Sequence, residues 1–347
     1  MVRITKDVAG ELSAVLEGRG YDGVFVVTDG NTYANCLPLV REALEAHGAR
    51  VVTIDAGDVN KDMRGLRRVW EALVSGGASR GSVVVNLGGG MVTDLGGFAA
   101  ATFKRGVRTV NVPTTLMASV DAAIGGKTGM NFRGLKNEVG AFHEPEEVLI
   151  DCAFLATLDR ENLLSGYAEM LKHGLLSGSE AFFGLLAADP SEMDAEVMNA
   201  KVAESVGIKE RIVMEDPHER GIRKALNLGH TVGHALESFS IDSHRTILHG
   251  HAVAAGLVCE LYLSHRLCGM DIYNVRAMVN YVRGRYARAA FGCKDYARLL
   301  ELMSHDKKNS GGRINFTLLS SPGEVQIDRY VDIPLIEEAL DFYRENV

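Results

Sequence analysis

The sequence predicts a Rossmann-like α/β domain over residues 1–155, followed by a mainly α-helical domain over 156–347. Three observations carry this. Short β-branched runs alternate with helical stretches in the first half, long Ala-, Leu-, Glu- and Met-rich segments fill the second, and 347 residues exceed what one hydrophobic core usually holds.

Gly23 to Thr28, Arg50 to Asp55, Ser82 to Leu87, Thr109 to Val112 and Val148 to Ile150 read as buried strands, because short apolar runs suit a sheet covered on both faces. Between them, Arg64 to Val74 places Leu66, Val69, Trp70 and Leu73 on one stripe and Arg67, Arg68 and Glu71 on the other, as in an amphipathic helix. Strands alternating with helices need crossover connections, and right-handed crossovers build a parallel sheet. From about Asp159 helical spacing governs Glu161 to Leu176, Ala195 to Met214 and Ala252 to Leu267. The join near 151–160 lacks a Pro/Gly/Ser-rich linker, so closely packed domains with a ligand cleft between them are expected.

Hydrophobic residues make up 46% of the chain and charged residues 24%, which excludes a disordered chain or a coiled coil. The net charge of −8 offers no basic field for a nucleic-acid partner. No apolar run approaches the about eighteen residues that span a bilayer, and the N-terminus lacks the apolar centre of a signal peptide, so no membrane partner and a cytoplasmic location are expected. Cys36, Cys152, Cys259, Cys268 and Cys293 have no Cys-x-x-Cys spacing and are expected to be unpaired thiols.

The strand ending at Leu87 runs into Gly88-Gly89-Gly90 and a helix beginning near Val92, with Gly96-Gly97 one turn on. Consecutive glycines let a backbone approach a pyrophosphate, and a helix N-terminus favours an anion, although the spacing departs from Gly-x-Gly-x-x-Gly and also fits a tight strand-to-helix turn. Asp29 with Asn31, and Asp58 with Lys61, follow the first two strands, where an open sheet presents its ligand-facing loops.

His230 and His234 are four apart on a predicted helix, so their imidazoles share a face. His244, His249 and His251 follow. This density points to a metal site, for which spacing favours His230 with His234 and leaves Glu169, Glu237 and Glu260 open as the carboxylate. Arg105, Lys127, Lys136, Lys172, Lys209, Arg223, Lys307 and Lys308 form a supply of cations at odds with the acidic average. Several stand beside Gly, Asn or Thr, as in Gly125-Gly126-Lys127-Thr128-Gly129. Converging, they suit a small phosphate- or carboxylate-bearing anion, whereas any one lysine alone suits a solvated surface.

These segments together resemble the 3-dehydroquinate synthase family of the sugar-phosphate cyclases, from about Asp29 to Leu318. Gly88-Gly89-Gly90-Met-Val-Thr-Asp94, Lys104-Arg105-Gly106, Pro113-Thr114-Thr115, Val120-Asp121, the Gly125–Gly129 run, Lys136-Asn137, Ala168-Glu169, Asn227-Leu-Gly-His230-Thr-Val-Gly-His234-Ala-Leu-Glu237, Leu248-His249-Gly250 and Asp306-Lys307-Lys308-Asn309 carry the likeness. The resemblance implies a dehydroquinate synthase-like fold, NAD, a divalent metal (zinc, with cobalt as the other choice) and the substrate 3-deoxy-D-arabino-heptulosonate 7-phosphate. It places the metal on Glu169, His230 and His249, which moves His234 to proton transfer together with Glu219. It assigns NAD contacts to Asp29, Asn31, Asp58, Lys61, Gly89, Gly90, Asp94, Thr114, Thr115, Lys136, Phe154 and Thr157. Substrate contacts fall on Arg105, Asp121, Lys127, Asn137, Lys172, Lys209, Arg223, Asn227 and the Lys307-Lys308 pair.

The implied reaction is transient oxidation by NAD, β-elimination of phosphate, re-reduction and an intramolecular aldol closure. A small sugar phosphate is thus the expected partner, and a homodimer the expected assembly. A valiolone or deoxy-inosose synthase shares the machinery, and a metal-dependent polyol dehydrogenase is a rival of a different reaction class. Two positions depart from the family: His251 stands where a carboxylate usually follows His-Gly, which bears on how His249 is oriented, and Asp58 replaces a more usual Glu, keeping the charge and shortening the reach.

Overall fold

The computed structural model describes residues 1–133, 135–305 and 313–347. They divide into two compact units, one of Met1–Asp159 with Met193–Val206 and one of Arg160–Glu192 with Gly207–Val347.

In the first unit, among the described residues, six parallel strands form a sheet in the order β1-β8-β5-β4-β2-β3. Their ranges are β1 Val2–Ile4, β2 Val24–Asp29, β3 Arg50–Ile54, β4 Val83–Gly88, β5 Arg108–Pro113 and β8 Glu147–Ile150. Every residue of β2 and β4 is buried, as expected of strands covered on both faces. Their side chains alternate between two cores. Val24, Val26, Val83 and Val85 join Leu12, Leu16, Val40 and Leu44 of the Val8–Arg19 and Leu37–Ala46 helices. Phe25, Val27 and Val84 join Leu66, Val69, Leu73, Leu95 and Phe98 of the Met63–Ser75 and Gly90–Thr102 helices on the other face. Each such side chain contributes about 1.5–3 kcal/mol on burial. From β2 the chain goes outward to β3 and then returns to β2's other side as β4. The carboxyl ends of β2 and β4 therefore flank the point where strand order reverses, the usual ligand crevice of such sheets.

The five anticipated strands are present with ends shifted by a residue or so. The edge strand β1 has three residues, too few for a period to register. Also unanticipated is the antiparallel pair β6 Lys127–Phe132 and β7 Leu135–Phe142, whose second strand is largely exposed and so has no apolar signature. The Gly125–Gly129 run thus leads into a strand.

The second unit is mainly helical. It holds Arg160–Ser177, His230–Asp242 and His249–Cys268, with an antiparallel pair β9 Arg313–Ser321 and β10 Glu324–Asp332. Three glycines set how closely the helices approach. A Cβ at Gly256 would lie 1.9 Å from the Gly229 carbonyl oxygen, one at Gly233 3.1 Å from that of Ala252, and one at Gly250 1.9 Å from that of Ser165. Backbone contact of this kind packs the start of the His249–Cys268 helix against the Arg160–Ser177 helix and its first turns against the start of the His230–Asp242 helix. Among the described residues no helix is long and apolar enough to cross a membrane.

Candidate active site

In the first unit, β4 ends in Gly88 and the next helix starts at Gly90, with Gly89 as an N-cap that contributes no side-chain bond. The N-terminus is open to an anion. A Cβ at Gly88 would sit 2.5 Å from Val92 Cγ2, and one at Gly90 would sit 3.0 Å from the Ala122 Cβ. One at Gly96 would sit 1.9 Å from Asn86 Oδ1, so Gly96 serves close helix–sheet packing. The Thr114 amide donates to the Gly88 carbonyl at 3.0 Å, and Thr115 packs its methyl group beside Gly89.

Asp29 ends β2 and caps the Gly30–Asn35 helix, its Oδ1 accepting from the Thr32 amide at 2.8 Å. Asn31, on the first turn of that helix, is exposed. Lys61 is buried at the centre of a polar cluster: its Nζ donates to Asp94 Oδ2 at 2.9 Å and to Asn137 Oδ1 at 2.6 Å, and lies 3.4 Å from Asp58. Burial opposes its charge, but Asp94 and Asp58 outweigh burial and raise its pKa. Lys136 also reaches Asp58, at 3.1 Å, so the shorter Asp at this position spans both cations. The Asp58 carboxyl is lowered despite burial, by Lys61 and then Lys136. The Asp94 carboxyl is raised, because its burial outweighs Lys61. Phe154 is wholly buried in the core, so its side chain is packing and a ligand would meet only its backbone. The exposed Thr157 donates to the Phe154 carbonyl at 2.7 Å.

Of the expected substrate residues in this unit, Arg105 is exposed on a turn where it and Lys104 both have positive φ, 68° and 49°. Such strained pairs gather at functional sites. Asp121 lies on the π-helical turn Ala118–Ala122, Lys127 opens β6, and Asn137 has φ 52° with its side-chain oxygen taken by Lys61. An anion at Asn137 would therefore meet its amide nitrogen.

In the second unit the Glu169 carboxylate is completely buried. Lys172, also buried, pairs with Oε2. Oε1 faces His230 Nε2 at 3.4 Å and His249 Nε2 at 3.5 Å. Among the described residues neither oxygen has a well-formed hydrogen bond. A tetrahedral ion with bonds of about 2.0–2.2 Å separates neighbouring ligand atoms by roughly 3.3–3.6 Å, so this spacing and donor set fit a zinc-like metal. The opposite ring nitrogens are already engaged. His230 Nδ1 lies 3.1 Å from the Leu228 carbonyl and His249 Nδ1 lies 3.1 Å from Glu237 Oε2. His234 stands close by, its ring centre 5.1 Å from His230 and 5.6 Å from His249, and the three imidazoles also come within metal-binding reach of one another.

Burial opposes ionisation of Glu169, yet Lys172 and His230 hold its carboxyl well below the usual carboxylate range. Burial and then Lys172 push His230 down to about 4, which keeps it the neutral imidazole a metal requires. His249 goes the other way, to about 10: burial lowers it, but Glu237 more than compensates. The two share Glu169 and differ because Lys172 adds to burial at His230, whereas His249 has the Glu237 carboxylate behind it.

Two of the three acids left open by spacing have other work. Glu260 accepts from the Gly229 and Val232 amides at 2.6 and 3.2 Å, fixing the N-terminus of the His230–Asp242 helix. Glu237 touches His249 from behind. His251 is turned away, with Nε2 3.1 Å from the Glu161 carbonyl and Nδ1 accepting from the Ala287 amide at 2.9 Å. Helical spacing held the signal for Glu237, seven residues after His230, but no local signal marks Glu260.

Lys172, Lys209 and Arg223 are buried, so a solvated-surface reading fails for them. Asp216 accepts from the Arg220, Gly221 and Arg223 amides at 3.0, 2.6 and 3.2 Å, folding a loop on which Glu219 has φ 57°. Asn227 donates to Glu219 Oε1 at 2.8 Å. Lys307 and Lys308 lie outside the described residues.

The pattern describing the 3-dehydroquinate synthase N-terminal region matches residues 51–165, and that of the C-terminal region matches residues 166–309. A 3-dehydroquinate synthase of Parabacteroides distasonis is 56% identical over 345 residues, covering 99% of this chain and 98% of that protein. The chain belongs to the 3-dehydroquinate synthase family. Solved structures agree in fold. The 2-epi-5-epi-valiolone synthase of Streptomyces hygroscopicus subsp. jinggangensis, with NAD⁺ and Zn²⁺ bound, superposes with a TM-score of 0.84 at 25% identity over 100% of this chain and 97% of its own. A 2-deoxy-scyllo-inosose synthase complexed with carbaglucose-6-phosphate, NAD⁺ and Co²⁺ gives 0.88 at 21% identity, over 100% and 96%.

Proposed function

We propose that this chain converts 3-deoxy-D-arabino-heptulosonate 7-phosphate to 3-dehydroquinate and phosphate, a phosphate-eliminating carbon–oxygen lyase step of the shikimate pathway serving aromatic amino acid biosynthesis. Family membership over nearly the whole chain supports the reading. The structural observation that carries it is the buried Glu169 carboxylate facing two imidazoles whose other nitrogens are engaged.

Glu169, His230 and His249 would hold zinc, or cobalt. Asp29, Asn31, Asp58, Lys61, Gly89, Gly90, Asp94, Thr114, Thr115, Lys136, Thr157 and the Phe154 backbone would hold NAD. When bound, NAD supplies a transient hydride acceptor and donor, and the metal supplies Lewis acidity and a template for vicinal oxygens. The chain's own residues do the rest. His234 exchanges a proton at its imidazole, and Glu219, held by Asn227, is the second proton acceptor. Lys172, Lys209 and Arg223, buried and positively charged, neutralise the substrate's anionic groups, where desolvation strengthens each contact. Asn227, Arg105, Asp121, Lys127 and Asn137 are the further substrate contacts that the resemblance implies. Lys307 and Lys308 complete the set by resemblance. The reading also carries a homodimer working in the cytoplasm, of which sedimentation velocity checks the first part.

The test is phosphate release from the heptulosonate phosphate, with and without NAD and metal. Release that needs both, without NADH accumulation, is expected. Net NADH accumulation would choose the polyol dehydrogenase, and release only from a sugar phosphate lacking a carboxylate would choose another cyclase.

A further inference from the structure

We propose that Glu237 is the positioning residue that orients His249, an inference that rests on the metal-site reading of Glu169, His230 and His249. His249 is the first residue of its helix, preceded by Leu248, which makes no side-chain cap. A ring at that position has no preceding helical turn to pack against, and the side chain is 29% exposed, beside a Glu169 that is completely buried. The His230 and His234 rings stand beside it, at 5.4 and 5.6 Å between centres, but χ2 of a histidine is a broad torsion, and a directional contact fixes it. Glu237 supplies that contact. It lies seven residues after His230 and three after His234, hence on their face of the His230–Asp242 helix, and is itself buried. Its Oε2 accepts from His249 Nδ1 at 3.1 Å, which aims Nε2 at Glu169 Oε1.

The neighbour that sequence position suggests, His251, has both ring nitrogens committed to Glu161 and Ala287. Glu260 has its two oxygens on the Gly229 and Val232 amides. A carboxylate behind a metal-ligating histidine sets its tautomer and orientation and typically alters metal affinity 10–100-fold. In this chain it arrives from the facing helix.

The test compares Glu237→Met, which keeps the volume and removes the acceptor, with Glu237→Gln, which keeps a neutral acceptor. Zn²⁺ affinity is read by competition with a chromophoric chelator, Co²⁺ coordination by visible absorption, and folding by thermal midpoint. Expected for the Met variant are about 10–100-fold weaker Zn²⁺ binding and a changed Co²⁺ spectrum. The Gln variant should recover most of both, with the two midpoints close together. Wild-type affinity and spectrum in the Met variant would overturn the proposal and make Glu237 a packing residue. Equal loss in both variants, accompanied by an equal fall in midpoint, would overturn it in favour of a purely structural role. An unsubstituted protein that takes up neither ion would overturn the metal-site reading and this inference together.

Discussion

The glycine-rich end of the first unit and the imidazole cluster of the second solve the same problem, placing groups within tenths of an ångström, by different means. In the first, consecutive residues do the placing. Gly88 to Gly90 join one strand to one helix, and in the proposed function the backbone itself is the binding element. In the second, Glu169, His230 and His249 come from three helices, and each imidazole is aimed by a contact behind it. A backbone site tolerates side-chain change as long as the turn survives. A side-chain site fails with its supports even while its ligands remain.

Four perturbations test that contrast, in descending order of effect. Stripping the metal with a chelator should abolish turnover, on the order of 10³-fold or more, with zinc or cobalt restoring it. Within that cluster His230→Ala should lose the metal, whereas His234→Ala should keep it and lose about 10²–10⁴-fold in rate. Elemental analysis showing metal lost from His234→Ala would instead select the three-histidine set.

In the first unit Lys61→Met strands Asp94 and Asp58 beside a buried apolar group, at a cost of about 3–5 kcal/mol, readable by urea unfolding. Because the folded pKa of Lys61 lies above its ordinary 10.5, its contribution is fully present below that pH and is lost as pH rises through the folded value. The gap between wild type and variant should therefore close only in strong alkali. A gap unchanged there would mean that the charge is not what stabilises.

The smallest effect concerns the close contacts. Gly96→Ala and Gly256→Ala both force a Cβ within 1.9 Å of an oxygen, at about 1–3 kcal/mol of overpacking. Only Gly256→Ala should also weaken metal binding, since it pushes apart the helices that carry His230 and His249. Equal metal affinity in the two variants would erase the distinction between the regions.

Much of the first unit was legible because its signals are local. The buried strands are apolar runs, and Leu66, Val69 and Leu73 mark their helix by period. The hairpin of β6 and β7 was not, since its second strand faces solvent and pairing leaves no periodic trace. In the second unit, spacing found the histidines but paired His230 with His234. The likeness to a family moved the ligand to His249; Glu169 Oε1 lies 3.4 Å from His230 and 3.5 Å from His249, while His234 stays within metal-binding reach of both rings.

The sequence by itself determined the fold class, the family and the residue types of the chemistry, because periodicity and motif order are properties of neighbouring residues. Tertiary structure decided which carboxylate meets which imidazole. Glu169 faces two rings, Glu237 stands behind one of them, Glu260 secures a helix end and His251 turns away. Those assignments depend on where three helices cross. Close contacts at Gly250 and Gly256 with residues far away in the chain set those crossings, and no local pattern encodes them.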